Sequence, residues 1–298
     1  MLKISVIGSG DWSKKVINEI NNNKNFLIKS IVSRKEKNNY LTNKIKIFKS
    51  IHDLFEDNSV DCVYVAALPH VNLDIVKLAS SKKIPLILEK PICSSYKQAI
   101  EIQKIVENNN MIVIPNISNY FSEIFVKIQD IISQNHKFIK KIYIYEGSNG
   151  PIRNDIHPVW DWGFHSLSML SQIFELSKIA NLNQTIIKQD KNKKKIVSKL
   201  TFKIERDIDI VFVTGNFFKK KIRKIKIILK NNNYFLANFD KHEFYEKNKL
   251  IIKNENTPLT SLLNKFRFCI INKDSHLSKN LLKGSCDSIK IIEKFYRC

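Results

Sequence analysis

The first 118 residues are divided into short, mostly apolar runs separated by helical patterns, and no other feature constrains the fold as strongly. The runs are Ile4–Ile7, Phe26–Val32, Asp61–Leu68, Ile84–Leu88 and Met111–Ile114. Strands whose consecutive residues are apolar have both faces buried, which places them in a parallel sheet covered by helices. Between them, the segment from Gly10 to Ile20, Val71–Ser80 and Tyr96–Val106 repeat apolar residues at helical spacing. The pattern predicts a doubly wound α/β domain of the dinucleotide-binding kind over residues 1–118.

Beyond about residue 140 the pattern changes. A helix is expected over Trp160–Phe174, then strands at Lys195–Lys203, Ile208–Gly215 and Ile222–Leu229. Two helices, near Leu259–Ile271 and Leu277–Tyr296, close the chain. Residues 119–298 are therefore expected to form an α+β substrate domain with a large, mostly antiparallel sheet and helices. The asparagine triplets at 21–23, 108–110 and 231–233 fall between elements, where Asn tolerates left-handed turn and capping positions.

At 298 residues and 43% hydrophobic, the chain has enough apolar material for two cores, which excludes disorder. The net charge of +22 invites a nucleic-acid reading, but only six of the 50 cations are Arg. The other 44 are Lys, spread along a chain also rich in Ile and Asn. These three residues share A/T-rich codons, so base composition accounts for the excess. The Lys-rich alternation near 219–230 reads as a solvated sheet face. Neither a nucleic-acid nor a membrane partner is expected, since the longest apolar run, Cys62–Leu68, falls far short of the ~20 residues a span requires. The apolar stretch before Gly8 is too short for a signal peptide. Five scattered cysteines without a CxxC pair speak against disulfides and a thiolate metal site, and for a cytoplasmic location.

Gly8-Ser9-Gly10-Asp11-Trp12-Ser13 follows a strand and opens a helix, the context a dinucleotide turn requires. Gly8 permits the tight turn, and Gly10 lets backbone approach a pyrophosphate at the helix N-terminus. At the end of the second strand, Ser33 and Arg34 stand where a ribose-binding carboxylate would favour NAD(H). A hydroxyl and a guanidinium suit a 2′-phosphate, so NADP(H) is expected over NAD(H). Glu89-Lys90-Pro91 ends another strand, where parallel sheets present their ligand crevice. Further on, Asp161 and His165 are four residues apart on a helix and share a face, so a carboxylate can orient an imidazole for proton exchange.

Together, the glycine turn with its Trp, the EKP segment and the D-x-x-x-H helix resemble the Gfo/Idh/MocA oxidoreductases. The stretch Ala66–Asn72 resembles that family's fourth-strand loop, with Asn72 where His is frequent. Asn149–Arg153 followed by Trp160–Gly163 resembles a bacterial subgroup's G-P-x-R and W-D-W-G-P-H segments, and Thr257-Pro258-Leu259 followed by Phe266 resembles its C-terminal helix entry. The resemblance implies hydride transfer between a nicotinamide cofactor and a sugar, nucleotide-sugar or cyclic polyol. It implies catalytic roles for Lys90, Asp161 and His165. The expected cofactor-binding set is Gly8, Gly10, Asp11, Trp12, Ser33, Arg34, Asn72, Glu89 and Lys90. Arg153, His157, Asn116 and Trp162 are expected around the substrate, with Tyr120 a weaker candidate. The family's habit implies a homo-oligomer through the exposed face of the C-terminal sheet, although the lysines at 219–230 would set like charges against each other there. Ser13, Phe164 and Ser166 depart from the family pattern and bear on substrate identity. The competing reading on the same fold is a non-catalytic protein that senses a cofactor or sugar. Titration of NADPH and NADH by fluorescence is expected to give the lower Kd for NADPH; a clear preference for NADH would refute the reading of Ser33 and Arg34.

Overall fold

The computed structural model describes residues 1–33, 45–57, 59–153, 156–205, 207–254 and 256–296. Arg34 lies outside these residues. The chain divides into two compact units, Met1–Ser118 with Pro258–Cys286, and Asn119–Thr257 with Asp287–Cys298.

The first unit holds six parallel strands, β1 (Leu2–Ile7), β2 (Phe26–Val32), β3 (Lys46–Phe48), β4 (Cys62–Val65), β5 (Leu86–Leu88) and β6 (Val113–Pro115). Their spatial order is β3-β2-β1-β4-β5-β6, the doubly wound arrangement with its switch point between β1 and β4. Every residue of β4, β5 and β6 is buried, as continuous apolar strands require. Helices α1 (Asp11–Asn21), α2 (Ile51–Glu56), α3 (Asn72–Lys82) and α4 (Tyr96–Asn108) connect them. Ser50 and Ser95 cap α2 and α4 by accepting backbone N–H bonds. The element pair β3 and α2 was not expected, because three and six residues leave too little periodicity to read.

Helix α7 (Pro258–Ile271) and the start of α8 (His276–Phe295) return to this first unit, a feature that a linear boundary at residue 118 does not contain. Ser278 shows what the return does. Its hydroxyl accepts from the Val113 N–H at 2.8 Å and donates to the Val113 carbonyl at 2.7 Å. The outer rim of the edge strand β6 is thereby satisfied by a side chain instead of another strand.

The second unit is an eight-stranded sheet of order β14-β13-β12-β11-β7-β10-β9-β8. Its strands are β7 (Ile139–Asn149), β8 (Ala180–Gln189), β9 (Ile196–Ile204), β10 (Ile208–Gly215), β11 (Phe217–Leu229), β12 (Tyr234–Asn238), β13 (Glu243–Glu246) and β14 (Lys249–Lys253). All neighbours are antiparallel except β7 and β10. Helices α5 (Glu123–Asn135) and α6 (Pro158–Leu170) pack against it. On β7 and β11 one face carries Ile142, Ile144, Ile225 and Ile227 in the core. The other face pairs Tyr143 with Lys226 and Tyr145 with Lys224, all half-buried. The lysine alternation is thus one face of a real strand. Strands β7, β8 and β12–β14 escaped the sequence reading; β8 is almost wholly exposed and so lacks apolar alternation.

Two asparagine triplets supply left-handed residues, Asn110 (φ 50°) and Asn232 (φ 64°), whereas Asn22 caps α1 in the right-handed region. Cys62, Cys93, Cys269 and Cys286 are buried free thiols. Among the described residues no helix is long and apolar enough to cross a membrane. Replacing Ser278 with Ala removes both bonds to Val113 and leaves a buried N–H; urea unfolding is expected to show a loss of about 1–2 kcal/mol.

Candidate functional site

In the first unit, the turn after β1 is shaped by its neighbours. Gly8 adopts φ +122°, and a Cβ placed there would lie 2.4 Å from the Ala66 carbonyl oxygen at the end of β4. Its N–H donates to Val32 on β2 at 3.0 Å, so the turn is tied to the strands on both sides. Gly10, by contrast, has an ordinary φ of −79°, and a Cβ there would meet nothing within 4 Å. Gly10 is the N-cap of α1 and supplies no side-chain cap, and the space beside it that a Cβ would take is open. That cradle fits a dinucleotide's pyrophosphate, which takes its hydrogen bonds from such a terminus. Asp11 follows in the first turn, exposed and paired with Lys14 at 3.1 Å. Ser13, in place of a third glycine, is buried, and its hydroxyl makes no hydrogen bond.

Around the end of β5 the polar residues converge. The Glu89 Oε1 atom accepts from the Tyr64 hydroxyl at 2.5 Å, from Asn116 Nδ2 at 2.6 Å and from the Trp12 indole N–H. Asn116 also donates to the Tyr64 hydroxyl at 2.8 Å. Burial raises the Glu89 carboxyl above its ordinary range, against the opposing pull of these donors and of Lys90. Burial, reinforced by the charge of Glu89, pushes the Tyr64 phenol well up, so Tyr64 is a standing donor. Trp12 itself is 44% exposed, with its polar edge anchored and its ring left at the surface of the turn. Lys90 is half-buried and precedes Pro91 through a cis peptide bond. Asn72 is fully buried and donates to the Ile92 carbonyl at 3.0 Å, joining α3 to the segment after Pro91. The Oδ1 atoms of Asn72 and Asn116 are buried acceptors with no hydrogen-bond partner, the kind of orphan that a bound polar group satisfies. Ser33 is buried at the end of β2, its N–H donating to Phe48 at 3.0 Å.

In the second unit the D-x-x-x-H segment lies in α6. The helix begins at Pro158, and its N-cap is His157, whose Nδ1 accepts the Val159 N–H at 3.2 Å. The imidazole stacks on Tyr296 with ring centres 4.4 Å apart, and burial lowers its pKa to about 4. His157 is therefore a neutral capping residue at neutral pH, and offers no cationic contact to a substrate anion. Trp160 is fully buried and donates to the Tyr296 carbonyl at 2.8 Å. Asp161 and His165 sit one turn apart on α6, with His165 buried. Arg153 Nη1 lies 3.3 Å from Asp161 Oδ1, with Asp161 only 13% exposed. This ion pair holds the carboxylate beside the helix.

Further along α6, Ser166 donates to Glu146, a carboxylate only 1% exposed on β7. Arg223 on β11 approaches the other carboxylate oxygen, Oε1, at 3.5 Å, and its guanidinium carbon stands 5.6 Å above the Trp162 ring. Tyr64, Glu146 and Arg223 are absent from the sequence-derived set. Glu146 continues the core-facing row Ile142, Ile144, and Arg223 leads the row Ile225, Ile227. Charges at positions that alternation reserves for aliphatic side chains were a legible signal, once β7 and the full length of β11 are known. Among the described residues, no group of three or more His, Cys, Asp or Glu could hold a metal ion.

Sheet order and glycine turn together define a doubly wound α/β domain of the dinucleotide-binding type. Residues 2–117 match the Gfo/Idh/MocA family model, described as an oxidoreductase family with an NAD-binding Rossmann fold. Solved structures share the fold over nearly the whole chain. A variant of a 3-ketoreductase from Actinomadura kijaniata, solved with TDP-benzene and NADP, superposes with TM-score 0.81 at 9% identity, covering 98% of this chain and 96% of that one. An oxidoreductase from Agrobacterium radiobacter, solved with NAD+, L-tartaric acid and magnesium, gives 0.79 at 15% identity, with 98% and 94% covered. The UDP-N-acetylglucosamine 3-dehydrogenase of Acidithiobacillus ferrooxidans gives 0.78 at 12%, with 99% and 98% covered.

The two glycines separate by experiment. Gly8→Ala is expected to lower Tm by several degrees, since its Cβ collides with backbone at a conformation that costs a side chain about 1–3 kcal/mol. Gly10→Ala meets no steric neighbour and costs only the N-cap preference of Gly over Ala, about 1 kcal/mol, so it is expected to lower Tm less than Gly8→Ala and to weaken dinucleotide binding at least tenfold in titration.

Proposed function

We propose that this protein is an NADP(H)-dependent oxidoreductase that transfers hydride to or from a carbon bearing a hydroxyl, on a sugar, nucleotide-sugar or related cyclic polyol or ketone. The observation that carries the reading is the Gly8–Gly10 turn on the β3-β2-β1-β4-β5-β6 sheet, with Lys90 at the carboxyl end of β5. The nicotinamide ring would accept or donate the hydride; the chain's own residues bind, orient and move the proton.

In the oxidising direction the hydroxyl proton passes to His165 as the carbon gives up its hydride, leaving a carbonyl. Lys90 donates a hydrogen bond to the oxygen and favours the charge that develops on it. Asp161, tied to Arg153, keeps a negative charge one helical turn from His165, which stabilises the protonated imidazole. The tether of Trp12 to Glu89 supports the dinucleotide role of both residues, and the same cluster fixes the backbone from which Lys90 projects. Asn116 belongs to the same cluster, and its buried, unpartnered Oδ1 is an acceptor for a bound polar group.

Two relatives by fold carry nucleotide-sugar chemistry in their names or ligands, a 3-ketoreductase with TDP-benzene and a UDP-N-acetylglucosamine 3-dehydrogenase. They support the substrate class proposed here. Preference for the 2′-phosphorylated cofactor rests on Ser33 and Arg34. A cytoplasmic enzyme acting on small molecules, without nucleic-acid or membrane partners, is the corresponding cellular reading, and a homo-oligomer through the open face of the second sheet is the proposed quaternary arrangement.

Lys90→Met and His165→Ala are each expected to reduce kcat by at least 100-fold, with Kd for NADPH within about threefold of the parent, consistent with the 10²–10⁴-fold that proton-transfer groups contribute. Parent-like turnover in both variants would end the catalytic assignment. Cofactor binding with no turnover across a polyol and nucleotide-sugar panel would favour a sensing protein.

A further inference from the structure

Across the helix-covered face of the second sheet, three neighbouring strands place Thr214, Glu146 and Arg223 side by side. Thr214 pairs in register with Glu146, and Glu146 with Arg223. Behind them the same rows are aliphatic or aromatic, with Ile144, Ile225 and Phe212 fully or nearly buried. The row therefore marks where the core ends in polar groups. Helix α6 approaches this line closely because Gly163 has no side chain; a Cβ there would lie 3.3 Å from both Phe212 and Thr214.

Arg223 is held on two sides. Its Nε edge faces the buried Glu146 carboxylate at 3.5 Å, and its plane stands over the Trp162 ring. Glu146 is fixed in turn by Ser166. The guanidinium side chain is 25% exposed, and its buried Nε makes no hydrogen bond, so the contact with Glu146 is an ion pair only. A cation held by a buried carboxylate and an aromatic face has little rotamer freedom left to lose on binding. Beside it, the Trp162 indole N–H and the Thr214 hydroxyl are buried without hydrogen-bond partners. Groups of this kind carry a desolvation cost that a ligand's acceptor atoms relieve.

We infer that Arg223 is a substrate-binding residue that receives an oxyanion of the substrate, a phosphate or a carboxylate, through its partly exposed guanidinium. Glu146 and Trp162 act as positioning residues that aim the fork, and Glu146 limits its net charge so that the site selects by geometry and not by charge alone. The inference rests on the oxidoreductase reading only for the word substrate. A substrate so recognised is an acidic sugar or a sugar carried on a nucleotide diphosphate, and uncharged polyols are poor ligands.

Calorimetric titration of the full chain, without nicotinamide cofactor, separates the two sources of the anion. UDP presents phosphate and D-glucuronate presents carboxylate; uridine and D-glucose are their uncharged counterparts. One charged probe is expected to bind at least tenfold more tightly than its counterpart. Arg223→Lys keeps a cation beside Glu146 but loses the planar fork, and is expected to weaken that probe tenfold or more with Tm unchanged. Should Arg223→Lys fold poorly, the double variant Glu146→Gln with Arg223→Gln replaces the ion pair by neutral amides of similar volume, and the same loss is expected. Binding by either variant within threefold of the parent would overturn the assignment, as would equal binding of charged and uncharged probes. Since no turnover is measured, loss of hydride transfer in the Lys90 and His165 variants bears on the oxidoreductase reading alone.

Discussion

The approach of Gly8 to the Ala66 carbonyl is the constraint on which the first unit depends. It brings the turn after β1 against the end of β4, the two strands that flank the switch point of the sheet. Only a residue without a Cβ fits, and the same residue must take a conformation that side chains avoid. Once the turn is placed, α1 begins after its N-cap Gly10 with no side-chain cap, and Trp12 falls within reach of Glu89. The opening for a dinucleotide is thus a consequence of packing between two strands, and Gly10 contributes by leaving space.

Each unit carries a shielded carboxylate, and each is used differently. Glu89 gathers three donors onto a single oxygen, so its charge is spread into the Trp12, Tyr64 and Asn116 side chains that surround the dinucleotide turn. Glu146 is instead compensated by a serine hydroxyl and an arginine, which converts a buried charge into an oriented cation at the edge of the core. Arg153 and Asp161 repeat the device at the start of α6. With only six arginines against 44 lysines, two lie against this one helix. The chain's general surplus of charge says little about ligands, whereas these few placed cations say a good deal.

Much of the fold was legible because its signals are local. Continuous apolar runs identified five of the six strands of the first sheet, and Gly8, Gly10, Lys90, Asp161 and His165 stood out by residue type and spacing. What escaped had little local signature. Strand β7 alternates only weakly, with Lys140, Lys141 and Tyr143 between its isoleucines, and β8 is exposed along almost its whole length. Nothing local to His157 shows that it caps α6 and stacks on Tyr296, 139 residues further along, where burial lowers its pKa to about 4.

The sequence by itself determined the class of the first unit, since periodicity and a glycine-bearing turn leave few ways to bury those strands. It also determined which residue types were available for the proposed hydride transfer. Tertiary structure alone decided how the polar groups were paired: Ser278 with the edge of β6, Tyr64 and Asn116 with Glu89, and Arg223 with Glu146 and Trp162. Such pairs join residues from 25 to 165 positions apart, far outside any window of local periodicity, and exist only because the elements carrying them pack side by side.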